Sequence, residues 1–266
     1  MKWISFLLVW ANFALFAGGG PDYFIIGAQK SGTTALFNLL QQHPYVAKQK
    51  GEIHFFDLNY AKGQEWYEKR FVGWHNHGLI AGDKSPYYLF HPLAAERLHK
   101  YYPDAKIFIV LRNPIDRSYS HYWFNRRGRR EALTTFEKAI RAEDKRLAGL
   151  KECFYDDPLY KSFNYMHYSY LARSRYVEQI REWLKYFPRD QIMIVDANDL
   201  RHNTVDTLSR AFSFLGLHNF KVSDKNAHRH SDYPKIEDDI REELSAYFKP
   251  YNLRLEKLLD VKFNWD

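Results

Sequence analysis

The sequence predicts a three-layer α/β fold, a central parallel β-sheet flanked by helices, on three observations. Strand-type apolar runs at 23–27, 79–82, 106–111 and 191–196 alternate with helical patterns along the chain, which is the order found in α/β proteins. The runs 106–111 and 191–196 are continuously apolar, as in strands that are covered on both faces. A glycine-containing turn joins the first run to a helical pattern. Because ligands bind beyond the carboxyl ends of such strands, we expect the functional residues to follow them.

Helices are predicted where apolar residues recur at helical spacing between and after these runs. The predicted helices cover 34–42, 91–101, 116–124, 134–147, 169–187 and 203–215, and one or two closing helices cover 236–260. At 266 residues, the chain is long enough for one generous domain with a sizeable core. Since no repeat or low-complexity linker interrupts the pattern, we expect a single domain over 20–266.

Charge and cysteine content restrict the classes of partner and site. The formal net charge is +7, from 39 basic and 32 acidic residues, which favours acidic partners without identifying nucleic acid as one of them. Cys153 is the only cysteine. An intrachain disulfide and a cysteine-rich metal site are therefore excluded.

Residues 1–19 are hydrophobic and resemble a secretory signal or a membrane anchor. Lys2 precedes an apolar run of signal-peptide length, and the small residues Ala17 and Gly19 suit cleavage before Gly20. The alternative is an N-terminal helix that packs on the domain. We expect the protein to be secretory or membrane-associated if this segment acts as a signal, and cytoplasmic otherwise.

The turn after the first strand, GAQKSGTT at 27–34, is close to the phosphate-binding pattern G-x-x-x-x-G-K-[ST] of P-loop proteins. Its glycines let backbone N–H groups converge on an anion, and the helix that follows adds its positive end. Thr33 stands in the place of the usual lysine, however, and the nearest lysine is Lys30, inside the turn. The turn predicts phosphate binding in a P-loop-NTPase-like fold, with an ordinary strand–turn–helix connection as the alternative.

Basic and polar residues follow three of the predicted strands, which a random surface distribution has no reason to produce. The three groups are Lys30 after the first strand, Lys84 after the second, and Arg112, Arg117 and Ser120 after the third. Since the carboxyl ends of parallel strands lie at one edge of the sheet, we expect these groups to meet. Together they predict one ligand with several negative charges.

From 22 to 260 the sequence resembles the sulfotransferases that use 3′-phosphoadenosine 5′-phosphosulfate (PAPS), and within them the heparan-sulfate and related bacterial branch. GAQKSGTT is similar to the 5′-phosphosulfate loop of that family, whose lysine also lies inside the turn. VLRNPIDRSYSHYWF is similar to its 3′-phosphate motif, and GEIHFFD, DKSPYYLF, SRYVEQIREWLKYFPRDQIMIV and FLGL resemble further segments of this branch. The resemblance implies a P-loop-NTPase-like fold and a sulfotransferase activity.

The resemblance also implies a set of residues that bind PAPS as the co-substrate. They are Lys30, Ser31, Gly32, Thr33 and Thr34 at the 5′-phosphosulfate, Arg112 and Ser120 at the 3′-phosphate, and Arg229 in a loop over the nucleotide. That loop, NAHRHSDYP, lacks the cysteines that close it in the heparan enzymes, so its geometry is expected to differ. PAPS chemistry of this type implies no metal, and its nucleotide product is adenosine 3′,5′-bisphosphate (PAP).

A catalytic set follows from the same resemblance. Glu52 matches the catalytic glutamate of the heparan branch and is expected to remove the acceptor's proton as a general base. His54 is expected either to orient Glu52 or to pack in an aromatic cluster. Lys30 would stabilise the leaving phosphate, and Lys84 the sulfonate or the acceptor. Arg117 is expected to form an ordinary salt bridge on its helix.

The acceptor is open at the level of sequence, beyond being a molecule with a hydroxyl or an amine. The arginine-rich segment 125–133 would suit an acidic glycan and is otherwise a solvated helix surface. The aromatic segment 163–176 would line an acceptor cleft or belong to the core. Two alternatives to a sulfotransferase are a P-loop kinase of a small metabolite and a non-enzymatic protein that binds a polyanion through charge.

Overall fold

The computed structural model describes residues 19–223 and 233–265, which form an α/β fold around a four-stranded parallel sheet. The strands are β1 (Tyr23–Gly27), β2 (Gly82–Lys84), β3 (Lys106–Leu111) and β4 (Ile192–Asp196), in the order β2-β1-β3-β4. Every strand pair in this sheet is parallel, which confirms the predicted architecture. The predicted signal or anchor at 1–19, except for Gly19, and the predicted contact Arg229 lie outside the described residues.

Helices cover the sheet on both sides. Within the described residues they are α1 (Thr33–Leu40), α2 (Gln64–Glu68), α3 (Ala94–Tyr101), α4 (Pro114–Arg127), α5 (Phe136–Arg141), α6 (Glu143–Leu147), α7 (Leu150–Asp156), α8 (Phe163–His167), α9 (Tyr176–Trp183), α10 (Ala197–His202), α11 (Thr204–Phe214) and α12 (Asp238–Leu259). None of these helices is both long and apolar enough to cross a bilayer.

Both faces of the sheet are buried, as the continuous apolar runs predict. Along β1 the side chains alternate, so that Phe24 and Ile26 belong to one apolar cluster whereas Tyr23 and Ile25 belong to another. The first cluster includes residues of α3, α9 and α12, and the second includes residues of α1 and α11. The sheet is therefore the middle of three layers.

The second strand begins near the end of the run that predicts it. Only Gly82 of the run 79–82 pairs with β1, and the ladder continues through Asp83 and Lys84. Asp83 is 1% exposed and accepts hydrogen bonds from two tyrosine hydroxyls, at 2.7 and 2.8 Å. Hydropathy alone predicts that a carboxylate does not belong in a buried strand, but these bonds satisfy the Asp83 carboxylate there. Lys84 is therefore the last residue of β2 and not a residue beyond it.

One predicted helix is divided and another is shortened by the same contacts. The pattern 134–147 forms α5 and α6, because Glu143 turns inward at the junction. Its carboxylate accepts hydrogen bonds from the backbone N–H groups of Leu171, at 2.7 Å, and Ala172, at 2.8 Å. These bonds hold the start of the predicted helix 169–187 in an irregular segment, so that only α9 is α-helical there.

The closing segment is one helix, α12, although Pro250 lies inside it. The buried side chains of α12 include Leu244, Phe248, Leu255 and Leu259, which share one helix face on both sides of the proline. Burying each of them contributes about 1.5–3 kcal/mol. Together these contributions outweigh the roughly 3 kcal/mol that a proline costs in a helix interior.

Candidate active site

The turn between β1 and α1 presents uncapped backbone N–H groups at the carboxyl edge of the sheet. Gly32 is the N-cap residue of α1 with a φ of 101°, a left-handed conformation that favours glycine, and none of the described side chains caps the helix. Gly27 is packed so closely that a Cβ there would lie 2.5 Å from Leu89 Cβ. Because uncapped N–H groups at a helix start bind anions, the turn has the geometry of a phosphate site.

The predicted PAPS-binding side chains of this turn differ in accessibility. Thr34 is exposed, whereas Ser31 and Thr33 are 2% and 4% exposed, so the Thr34 hydroxyl is the accessible one of the three. The backbone N–H of Ser31 donates to the Ala28 carbonyl at 3.1 Å. Lys30 has a φ of 73°, which is uncommon for a residue other than glycine. Its ammonium lies 4.6 Å from the centroid of the Phe124 ring. Backbone strain of this kind concentrates at functional sites.

Lys84 joins the turn to Glu52. Its ammonium donates hydrogen bonds to the Thr34 hydroxyl, at 3.3 Å, and to Glu52 Oε1, at 2.9 Å. Lys84 is almost fully buried, whereas about a third of the Glu52 side chain is exposed. The end of β2, the turn after β1 and the loop that carries Glu52 therefore meet at one point, as expected for the carboxyl edge of a parallel sheet.

His54 lies between two carboxylates. Its Nε2 is 3.0 Å from Glu52 Oε2, and its Nδ1 is 2.7 Å from Asp57 Oδ2. Burial alone would lower the pKa of His54, but the hydrogen bonds with Asp57 and Glu52 raise it to about 10. At neutral pH His54 is therefore an imidazolium, and both of its ring nitrogens donate. Of the two predicted roles, the geometry favours orienting Glu52.

Glu52 is ionised at neutral pH. Burial would raise the pKa of its carboxyl, but the hydrogen bond with His54 and the charge of Lys84 together hold it below its ordinary value. The two carboxylate oxygens are divided between these partners, Oε2 toward His54 and Oε1 toward Lys84. The carboxylate thus has a fixed orientation where the site opens to solvent.

Asp57 and Ser85 support His54, and the sequence reasoning missed both. His54 has a φ of 53°, and its backbone N–H donates to Ser85 Oγ at 3.0 Å. Asp57 is 4% exposed and accepts from His54 Nδ1. The spacing Glu-x-His-x-x-Asp at 52–57 could have predicted the role of Asp57, because it places two carboxylates within reach of one imidazole.

Arg112 follows β3 and lies beside the turn. Its Nη1 donates to the Lys30 carbonyl at 3.4 Å, and its own carbonyl accepts from the Tyr176 hydroxyl at 2.9 Å. Ser120 lies on the second turn of α4 and is 3% exposed, and no hydrogen bond joins it to Arg112 within the described residues. The structure brings Lys30 and Arg112 together, whereas a phosphate shared by Arg112 and Ser120 stays a prediction.

Among the residues that the structure describes, Arg117 does not form the predicted salt bridge. It is 0% exposed, its Nε donates to Ser174 Oγ, and its Nη2 donates to the Tyr170 carbonyl, both at 2.5 Å. Burial lowers the pKa of Arg117 to about 10, so the side chain is still a cation at neutral pH. The prediction is wrong because this position of α4 faces a buried segment of the chain and not solvent.

A cavity of about 520 Å³ opens beside Glu52 and Lys84. Its lining is basic and aromatic and includes Lys48, Lys50, Lys62, Trp66, Arg70 and Trp74. The Trp66 ring has two cations against it, Lys62 Nζ at 4.3 Å and Arg70 Cζ at 3.7 Å from its centroid. The aromatic segment 163–176 contributes nothing to this lining, and its Tyr165 and Tyr170 are buried core residues.

Two comparisons with known proteins bear on this site and fold. A family model described as a sulfotransferase domain matches residues 20–240. The crystal structure of a sulfotransferase from Alicyclobacillus acidocaldarius is 31% identical in sequence, with a TM-score of 0.75, and the match covers 91% of this chain and 97% of that one. This likeness confirms the predicted P-loop-NTPase-like fold.

Two curated relatives carry more specific names. Heparan sulfate glucosamine 3-O-sulfotransferase 5 of Mus musculus is 29% identical over 270 residues, 92% of this chain and 74% of its own length. Membrane-associated sulfotransferase kil1 of Dictyostelium discoideum is 27% identical over 313 residues, 92% of this chain and 66% of its own length. The chain therefore spans about two thirds to three quarters of these relatives. The family match and the bacterial structure confirm the predicted enzyme class: the chain belongs to the sulfotransferase family.

Proposed function

We propose that the protein transfers the sulfuryl group of PAPS to a hydroxyl or amine of an acceptor by in-line displacement at sulfur, with Glu52 as the general base. The observation that carries this proposal is the position of Glu52, between Lys84 and His54 at the opening of a basic cavity. A carboxylate placed there can take the acceptor's proton. Lys84 contacts both this carboxylate and the turn after β1, so the base lies next to the proposed donor site.

The turn after β1 and the segment after β3 suit the two anionic ends of PAPS. We assign the 5′-phosphosulfate to Lys30 and to residues 31–34, and the 3′-phosphate to Arg112 and Ser120. Support comes from the uncapped start of α1 and from the Arg112 guanidinium, 3.4 Å from the Lys30 carbonyl. PAPS supplies the activated sulfonate. Lys30 stabilises the negative charge that grows on the bridging oxygen as its bond to sulfur breaks. Arg229 stays a predicted contact.

Lys84 couples donor binding to the basicity of Glu52. Its 2.9 Å ion pair with Glu52 helps, against the effect of burial, to hold the pKa of that carboxyl below its ordinary value. A sulfonate at the turn offers Lys84 a second anion, and a Lys84 that moves toward it leaves Glu52 a stronger base. Glu52 then takes the proton while the acceptor oxygen or nitrogen attacks sulfur, and His54 keeps the carboxylate in place.

The cavity beside Glu52 suits an acidic glycan as the acceptor. Besides Lys84, four of its lining residues are cations, Lys48, Lys50, Lys62 and Arg70, and Glu52 lines the same cavity with about a third of its side chain exposed. Such a lining attracts anionic groups and raises the local concentration of an acidic substrate. The curated relatives named heparan sulfate glucosamine 3-O-sulfotransferases support the same class of acceptor.

Nucleotide binding tests the donor half of the proposal. A ligand that binds only the folded state raises the melting temperature, so PAP is expected to raise it more than ATP or adenosine 5′-phosphate at equal concentration. A kinase would instead respond most strongly to ATP with Mg²⁺. A protein that binds polyanions only through charge would respond to ATP at least as strongly as to PAP, because ATP carries at least as much negative charge.

Transfer of radiolabelled sulfate tests the acceptor half. With PAPS labelled at sulfur, we expect label to pass to heparan sulfate and not to dextran, a neutral glycan with equally available hydroxyls. The rate should fall as salt rises, because the cavity cations are screened. Equal labelling of both glycans would contradict an acidic acceptor, and no labelling of any hydroxyl or amine compound would contradict sulfuryl transfer.

A further inference from the structure

Arg173 is a buried cation that contacts the proposed phosphosulfate loop. It is 1% exposed, and its Nη1 donates to Gln29 Oε1 at 2.5 Å while its Nη2 donates to the Met166 carbonyl at 2.8 Å. Its guanidinium also lies 4.8 Å from the centroid of the Tyr87 ring. No carboxylate pairs with it within the described residues. Arg173 thus connects the turn after β1 with two other segments without neutralising its own charge.

The contact with Arg173 fixes which way the Gln29 amide points. A guanidinium has five N–H donors and no acceptor, so the amide atom that faces it must be the oxygen. The amide nitrogen, Nε2, therefore faces away from the buried arginine, and it has no hydrogen-bond partner within the described residues. Gln29 is partly exposed and directly precedes Lys30. An oriented, unused N–H donor thus stands beside the proposed catalytic lysine.

We propose that Gln29 Nε2 donates a hydrogen bond to a sulfonate oxygen of the donor, and that Arg173 is the positioning residue that holds the amide for this contact. The proposal rests on the proposed function, because the sulfonate is the acceptor of the bond. A neutral N–H group suits a sulfonate that is being transferred, because it binds the sulfonate oxygens but does not attract the phosphates of the nucleotide product. The contact should therefore distinguish PAPS, which carries the sulfonate, from PAP, which lacks it.

The buried charge of Arg173 is consistent with an anionic ligand nearby. A second buried arginine, Arg117, lies close enough that the charge of Arg173 lowers its pKa, after burial itself. Buried cations without a carboxylate partner are costly. An anionic donor at the adjacent turn offsets part of that cost, whereas a purely structural link between loops could use a neutral side chain.

The substitution Gln29→Glu separates positioning from structure. Glutamate has the shape of glutamine and gives Arg173 a carboxylate partner, so the melting temperature is expected to stay the same or rise. In place of Nε2, however, it presents an oxygen that repels the sulfonate. We expect the dissociation constant for PAPS to rise about 10- to 100-fold, with a clearly smaller change for PAP, and kcat to fall as well.

Two further variants complete the test. Asn219→Asp adds the same charge on an exposed residue after α11, where the side-chain oxygen still accepts from the Ser209 hydroxyl, and should leave both dissociation constants unchanged. Arg173→Lys keeps the charge but not the fork of donors, and should lower kcat and the preference for PAPS over PAP while PAP affinity is retained. An unchanged ratio of PAPS to PAP affinity in a stable Gln29→Glu protein would overturn the proposal. If the wild-type protein binds neither nucleotide, the proposed function itself fails, which is a different result.

Discussion

Two histidines, the partly buried His54 and the fully buried His121, are in opposite charge states, and the difference describes the two sides of the site. His54 contacts two carboxylates, and its pKa is raised to about 10. The pKa of His121 is held well below its ordinary value by burial and then by the charges of Arg173 and Arg117, and neither of its ring nitrogens has a hydrogen-bond partner in the described residues. The charged neighbours of the two rings therefore have opposite signs.

The side with Glu52 is fully paired before any ligand binds. Its carboxylate has one cation on each oxygen, and its imidazolium has one carboxylate on each nitrogen. Within the described residues, the hydrogen bonds of Arg117 and Arg173 all go to neutral groups. We infer that the side with Glu52 serves proton transfer and that the side with Arg117 and Arg173 serves anion binding. The predictions that follow disturb one side and measure the other.

The largest effect is expected from Glu52→Gln. The amide cannot take the acceptor's proton, and general-base assistance is worth about 10²–10⁴ in rate. PAP affinity should stay the same or increase, since Lys84 loses the carboxylate that neutralises it. Single-turnover transfer and PAP titration measure the two quantities.

The matched control for this variant is Glu65→Gln. Glu65 is also paired with a lysine, at 2.8 Å, but on an exposed helix surface, so this change should affect neither transfer nor binding. Full activity in Glu52→Gln would show that another group is the base. A large loss of PAP affinity would show that the two sides are not separate.

A smaller effect is expected from Arg112→Ala. Arg112 belongs to the side with Arg117, whose pKa its nearby charge also lowers. Removal of a charge-assisted hydrogen bond costs about 1.5–3 kcal/mol, so PAP should bind roughly 10- to 150-fold more weakly. Affinity for adenosine 5′-phosphate, which lacks the 3′-phosphate, should hardly change. Calorimetric titration of both nucleotides measures this difference, with Arg210→Ala on the exposed surface of α11 as the control. If both nucleotides weaken equally, Arg112 does not contact the 3′-phosphate.

The sequence predicts the parts of this site that depend on local pattern. The strand 106–111 is correct because it is continuously apolar, and the short motifs around Glu52, His54 and Lys84 predicted three residues that the structure brings into contact. The contact between Gln29 and Arg173 spans 144 residues, and nothing local to either residue announces it. The burial of Arg117 was missed for the same reason, because a cation in an amphipathic pattern ordinarily faces solvent. Long-range contacts of buried polar groups were thus the unpredictable part.

The two histidines should give stability opposite dependences on pH. The pKa of His54 in the folded state is above its ordinary value of 6.5. Its contribution to the free energy of unfolding is therefore complete below about pH 6.5 and is lost as pH rises through about 10. The folded pKa of His121 is depressed, so its contribution is complete above about pH 6.5 and is lost as pH falls.

Urea unfolding midpoints at about pH 5, 6.5 and 10 measure both contributions. His54→Gln should flatten the alkaline decline relative to the wild type, and His121→Gln should flatten the acidic decline. Each variant is the control for the other. An alkaline decline that is unchanged in His54→Gln would mean that His54 is not held as an imidazolium.

The smallest effect is expected from the deletion of residues 1–18. We predict that it changes neither side of the site. Gly19 is exposed, whereas Gly20 is buried so tightly that a Cβ there would lie 2.2 Å from the Tyr102 hydroxyl oxygen. A chain that begins at Gly19 therefore keeps its charged amino group in solvent, and a chain that begins one residue later would bring that charge against the core.

The shortened protein should match the full chain in melting temperature, PAP affinity and transfer rate, because the residues of both sides lie within the single domain predicted over 20–266. A lower melting temperature or aggregation would show instead that the hydrophobic segment packs on the domain, and a selective loss of transfer would place it against the side that carries Glu52.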